Sequence, residues 1–252
     1  MPVYDAMVMR VAVIADIHGN LPALEAVLAD IDLEAPDLVV SCGDVASGPL
    51  PVQTLDVLRA LPHARFVRGN ADRSLVTAFD GGQLSDMPGP AAEWCAAQLS
   101  REHRDFLASF SSEFPVVIDG LGRVLFCHGS PRSDVEMMTS KTADERLREL
   151  TAGVDARAIV CGHTHMPFDR TLGRVRVLNP GSVGMPYGHP GAYWALLGPE
   201  VEFRRTDYDR EAAAARIRQS AWPGAEDFAR ENVLFVPSEE DAFAFFGAHG
   251  GP

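Results

Sequence analysis

The sequence predicts an α/β protein, a four-layer α-β-β-α sandwich built on two mixed sheets. Three observations lead there. The first seventy residues alternate short apolar runs with helical patterns across short links, the signature of a largely parallel sheet covered by helices. Beyond Gly162 the rhythm changes to strands alone, which implies a second sheet. Five apolar runs each end in a residue with an oxygen or nitrogen donor atom, at the carboxyl ends of strands where such sheets open their ligand crevice.

Met1 to Val8 carry no pattern and read as an N-terminal extension, with the fold spanning 9–206 and a helical extension over 207–252 packed on the same domain. Arg10-Val-Ala-Val-Ile-Ala15 is the first buried strand. After Gly19-Asn20, Leu21-Pro22 opens a helix whose Leu24, Val27, Leu28 and Ile31 have helical spacing, and Pro22 suits its first turn. Pro36 ends that segment, and Asp37-Leu-Val-Val-Ser-Cys-Gly-Asp44 is the second strand. Pro51 to Leu61 is a helix with Leu55, Leu58 and Leu61 inward. A third strand, from Ala64, ends at Gly69-Asn70.

Residues 80–90, rich in Gly, Pro and Asp, read as a loop near the mouth of a site. Pro90 to Phe110 has one continuous helical pattern, with Trp94, Leu99, Phe106 and Leu107 toward the core. Phe114–Ile118 and Arg123–Cys127, joined by Asp119-Gly-Leu-Gly, form a β-hairpin. A helix over Ala143–Leu150 and a strand into Cys161 follow. The later strands are Phe168–Leu172, Val175–Leu178, Ala192–Leu197 and Val201–Thr206. Asp209–Gln219 and Gly224–Glu231 are helical and carry no ligand cluster, and the apolar Ala242-Phe-Ala-Phe-Phe246 is expected to pack on its own domain.

Composition narrows the function. A formal charge of −13 argues against a general electrostatic grip on nucleic acid, so a phosphate group must meet positive charge supplied locally, as bound metal ions would do. No apolar run approaches the ~20 residues that span a bilayer, and no signal-peptide pattern opens the chain, so a cytoplasmic protein is expected. Cys42, Cys127 and Cys161 sit at strand ends just before candidate ligands. Without a C-x-x-C pair they read as small buried hydrophobes rather than zinc thiolates, with Cys95 elsewhere.

The donor residues are Asp16 and His18, Asp44, Asn70, His128, and His163 with His165. Taken singly, an Asp-x-His is more often a capping aspartate and a Gly-Asp a turn. Gly162-His163-Thr164-His165 is more specific, because two imidazoles this close rarely persist except on a metal. Five such strand ends in one chain point to a single shared site. Four of the eight histidines belong to it; His63, His103 and His249 read as exposed, and His189 lies in a Gly-Pro loop.

In order and spacing, Asp16-x-His18, Gly43-Asp44, Gly69-Asn70, His128 and Gly162-His163-x-His165 resemble the calcineurin-like metallophosphoesterase superfamily. Asn179-Pro-Gly-Ser-Val-Gly184 and His128-Gly-Ser-Pro-Arg132 are similar to its small bacterial and archaeal phosphodiesterase branch. The resemblance implies a binuclear centre. By position, one divalent ion takes Asp16, His18, Asp44 and His165. The second takes Asp44, Asn70, His128 and His163, with Asp44 bridging. Such ions, ~3.5–4 Å apart, clamp phosphoryl oxygens and lower the pKa of a bridging water, whose hydroxide attacks phosphorus. Manganese is the expected metal, with Fe, Zn, Co or Ni as alternatives on this N/O ligand set. Catalysis then rests on Asp16, Asp44, Asn70 and His128, with Arg132 and His189 as substrate contacts.

One position departs from the family pattern. Many members carry a leaving-group histidine directly after the asparagine, where this chain has Ala71. A positioned general acid is worth ~10²–10⁴-fold, so the implied activity is hydrolysis of a small nucleotide-like phosphodiester rather than of a protein phosphomonoester. Asp72 is expected to cap the next helix. The alternatives are a phosphomonoesterase, a dinucleoside polyphosphate hydrolase, or a non-catalytic scaffold. A small phosphoester is the expected partner, no membrane is, and homo-oligomerisation is left open.

Overall fold

The computed structural model describes residues 9–84 and 89–248. The N-terminal extension and His249 lie outside them, as does part of the 80–90 loop. Two five-stranded mixed sheets pack face to face. In the first, β1 (Val11–Ile14), β2 (Leu38–Ser41) and β3 (Ala64–Phe66) are parallel, in the order β10-β9-β1-β2-β3. β9 (Ala192–Leu197) and the edge strand β10 (Val201–Thr206) run antiparallel to their neighbours. The second sheet comprises β4 (Glu113–Ile118), β5 (Gly122–Cys127), β6 (Ala158–Val160), β7 (Phe168–Leu172) and β8 (Val175–Asn179). Its order is β4-β5-β6-β8-β7, with β5, β6 and β8 parallel.

The period of two along each strand builds the layers. Val11, Val13 and Ala15 of the β1 segment meet Val124, Phe126 and Val160 between the sheets. Ala12 and Ile14 face the other way, into a core under α1 (Leu21–Glu34) and α2 (Pro51–Ala60). Leu125, Cys127 and Ile159 face the outer layer under α6 (Asp144–Leu150).

Four expectations are corrected. The strands after Gly162 do not form the second sheet by themselves. Only β7 and β8 stay there; β9 returns to pair with β1, and the β4–β5 hairpin with β6 completes the second sheet. The pattern over Pro90 to Phe110 is two helices, α4 (Gly89–Gln98) and α5 (Arg101–Ala108). Ser100 caps the second, accepting the His103 N–H. That geometry also removes His103 from the exposed set: its ring is buried against Ser100 and 2.9 Å from Asp56. The third strand stops at Phe66, and Asn70 opens α3 (Asn70–Phe79).

The C-terminal segment packs on the same body. In α7 (Arg210–Arg218), Arg216 pairs with Glu25 of α1. Next comes α8 (Ala225–Phe228), continued as a π-helical stretch over Ala229–Leu234. The last helix, α9 (Glu239–Ala248), buries Ala242 and Phe246 against Met166. Tyr187 stands between it and the site, 6.0 Å in ring centroids from both Phe246 and His165. Among the described residues no helix is long and apolar enough to cross a membrane.

Candidate metal centre

Each candidate ligand follows the carboxyl end of a parallel strand: Asp16 and His18 after β1, Asp44 after β2, Asn70 after β3, His128 after β5, His163 and His165 after β6. The loops that carry them interlock through the backbone. Asp16 donates its N–H to the Gly43 carbonyl at 3.0 Å, His18 to Asp44 at 2.9 Å, and Gly162 to His128 at 2.8 Å. Asp16, His18, Asp44, His163 and His165 all have positive φ, and they are five of the seven non-glycine residues that do among those described. Left-handed backbone costs an L-residue ~1–2 kcal/mol. Its concentration at the donor residues shows the fold holding them in strained conformations where side chains must converge.

The convergence forms two groups. Asp16, His18 and His165 bring one ligand atom each within 4.8 Å of one another, and so do Asp44, His128 and His163. The imidazoles are oriented from behind. His18 Nδ1 lies 3.3 Å from the Ser47 carbonyl, His165 Nδ1 2.9 Å from Met185, and His128 Nδ1 2.6 Å from Cys42. With Nδ1 donating to a carbonyl, each ring turns its Nε2 inward.

Those inward nitrogens crowd against one another and against the carboxylates. His18 Nε2 and His165 Nε2 are 3.2 Å apart. Asp16 Oδ1 lies 3.6 Å from His165 Nε2, and Asp44 Oδ2 lies 3.8 Å from His18 Nε2 and 3.4 Å from His128 Nε2. The Asn70 carboxamide lies against both imidazoles of the second group, 3.0 Å from His128 Nε2 and 3.1 Å from His163 Nδ1. At the first group the His18 and His165 nitrogens stand against each other, and a cation between them turns repulsion into coordination. The donor set therefore fits two divalent ions.

Electrostatics agree. Burial pushes the pKa of His18 down, and that of His165 further, with His18 adding to the effect at His165. His163 falls to about 4, through burial and then His128. All three imidazoles are neutral at pH 7. Burial drives Asp16 well above the usual carboxylate range, against the opposing pull of the nearby His128 charge. Burial would also raise Asp44, but His128 outweighs it and holds that carboxyl low. His128, against the pull of burial, is in turn raised to about 10 by Asp44. The cysteines are not ligands: burial raises all four thiols, and each Sγ donates to a backbone carbonyl.

Sequence reasoning under-read the groups that support the centre. Asp72 is fully buried and does more than cap α3. Its carboxylate accepts the N–H groups of Gly69 at 2.9 Å, Asp44 at 2.8 Å and Val45 at 2.9 Å, joining two ligand loops. Burial and then Asp44 push its pKa up to about 6. Ser182 donates to the Asp16 carbonyl at 2.7 Å, and Asn179 to the Gly162 carbonyl at 2.7 Å. The Asn-Pro-Gly-Ser run thus braces the ligand loops from below. The local signal was a polar residue ending an apolar strand, as at the other five.

Gly43 and Gly69 let those loops touch. A Cβ on Gly69 would lie 2.1 Å from Asp44 Oδ1. Gly69→Ala is expected to weaken metal affinity ~10–100-fold while the far-UV spectrum stays native; competition against a chelator measures it. Of the two expected substrate contacts, Arg132 pairs with Glu136 and lines a cavity of about 360 Å³ shared with Arg68 and His128. His189 is exposed on its loop.

Comparison with known proteins identifies the lineage. The calcineurin-like phosphoesterase superfamily domain matches residues 9–200. The chain belongs to this superfamily. Within it, the chain is similar to the small MJ0912 and YfcE type. It is 26% identical to the uncharacterised MJ0912 of Methanocaldococcus jannaschii over 235 residues, 84% of this chain and 93% of that one. It is 25% identical to phosphodiesterase YfcE of Escherichia coli over 203 residues, 77% of this chain and 89% of that one. A metallophosphoesterase from Sphaerobacter thermophilus of known structure superposes with a TM-score of 0.72 at 29% identity, covering 91% of this chain and all of that one. This metallophosphoesterase therefore carries the two-sheet fold of its family and two His/Asp groups able to hold metal.

Proposed function

We propose that the protein hydrolyses phosphodiester bonds of a small, nucleotide-like substrate at a binuclear centre. One ion is held by Asp16, His18, Asp44 and His165, the other by Asp44, Asn70, His128 and His163. The observation that carries this reading is the convergence of two His/Asp groups on Asp44, the carboxylate that faces imidazoles of both. When bound there, the ions supply Lewis acidity toward the phosphoryl oxygens and acidify a water.

The protein's part is positioning. Carbonyls of Ser47, Met185 and Cys42 fix three imidazoles in the tautomer that leaves Nε2 free. His163 N–H anchors both oxygens of Asp16, at 3.1 and 3.0 Å, and the Ala71 N–H anchors Asp44 Oδ1 at 2.8 Å. No imidazole stands at Ala71 to protonate a leaving group. That weighs against substrates with demanding leaving groups, and YfcE bears a phosphodiesterase name. Arg132 reaches substrate in this reading from the cavity it shares with His128, and the exposed His189 from loop 184–190. Manganese is the proposed ion and the cytoplasm the proposed location.

The test compares a chromogenic phosphodiester with its monoester analogue on metal-stripped protein reloaded with manganese. Metal-dependent diester turnover, about tenfold or more above monoester turnover, is expected. Monoester preference would move the assignment to a phosphatase. Reloading is also expected to raise the melting temperature, by the equivalent of about 2.7 kcal/mol when free metal stands at a hundred times Kd.

A further inference from the structure

We infer that the C-terminal segment 222–232 is the specificity wall of the site, and that it selects a diester with one flat, apolar-faced arm edged with N–H donors, as in a nucleobase. This rests on the phosphodiesterase reading above. A cavity of about 380 Å³ is lined by His18, Asp44 and Asn70 together with Trp222, Phe228 and Met185. Its size falls within the usual range for small-molecule sites. Ala71 and Ala91 line it too, leaving room where the family's leaving-group histidine is absent.

The walls differ in chemistry. On the C-terminal side Trp222 offers a half-buried aromatic ring, set edge-on to Phe228 at 5.6 Å and 81°. Gly224 packs against that ring, where an added Cβ would come within 3.0 Å of Cη2, so the ring is held in place before anything binds. Asp227, Glu231 and Asn232 complete the lining with hydrogen-bond acceptors, and no lysine or arginine lines it among the described residues. Arg230 bridges Asp227 at 2.8 Å and Glu231 at 2.6 Å, leaving that trio one net negative charge.

Such a cavity has one place for an anion, at the metal ligands. A second phosphate would meet Asp227 and Glu231, whose two negative charges Arg230 only half offsets. A planar heterocycle gains stacking on Trp222 and donates its edge N–H groups to Asp227, Glu231 or Asn232. Chains of several phosphates are thereby selected against, and nucleoside monophosphate diesters selected for.

The experiment uses manganese-loaded full-length protein and two diesters with the same p-nitrophenyl leaving group, one carrying a nucleoside 5′ arm and one a methyl arm. The nucleoside ester is expected to have a kcat/KM about tenfold higher or more, lost in Trp222→Ala through KM rather than kcat and largely restored in Trp222→Phe. Calorimetry of nucleoside 5′-monophosphate binding is expected to show the same loss and rescue without turnover. A dinucleoside tetraphosphate should be hydrolysed about tenfold less efficiently than the nucleoside ester. Equal use of the two diesters by the wild type, or equal loss of both in Trp222→Ala, overturns the inference while leaving diester hydrolysis standing. Hydrolysis of no diester at all overturns the phosphodiesterase reading, and this inference with it.

Discussion

Asp44→Asn is expected to lower diester turnover by about 10³-fold or more and to leave the protein unable to hold its full metal complement. The expectation follows from position. Asp44 Oδ2 faces His18 of one group and His128 of the other, while Oδ1 accepts the Ala71 N–H. The amide can keep the Ala71 bond and the shape of the side chain, so the fold survives. It cannot keep a negative oxygen shared between two cations, and with its oxygen committed to Ala71 it turns an NH₂ toward them. Metal analysis and turnover should fall together. Turnover near the wild-type level in this variant is incompatible with a bridging role.

Asp72→Ala is expected to cost the fold about 3 kcal/mol or more, since three buried N–H groups lose their acceptor at ~1–3 kcal/mol for each left unsatisfied. For a chain of this size that lowers the melting temperature by roughly 10 °C. The same three bonds set the Asp44 loop against Gly69 and Asn70, so metal affinity should fall as well, by about 10–100-fold. Asp72→Asn, which keeps one carbonyl acceptor, should lie between. Calorimetric melting of metal-stripped protein separates the structural loss from the metal-dependent one. An unchanged melting temperature with unchanged affinity would remove Asp72 from the support of the centre.

These two residues mark how far the sequence was legible. The strands and the seven donor residues were readable because each is local: an apolar run, then a donor atom at its end. The joining of those donors at one place followed from parallel topology. What distant segments share was not readable. Asp72 looks like a helix cap, and its bond to Asp44 spans twenty-eight positions. The alternation in β9 and β10 suits either sheet, and pairing with β1 is decided by packing across the molecule. Helical periodicity runs unbroken through Leu99, and only Ser100 as a cap reveals the break. The cavity wall at 222–232 carries no ligand motif, so its residues look like those of any packed helix.

The most direct test of the binuclear assignment is a manganese titration of metal-stripped protein, following ions bound per chain and diester turnover together. The account predicts that turnover appears as the second ion binds, in the wild type and not in Asp44→Asn. Full turnover with one ion per chain, or with none, would contradict it.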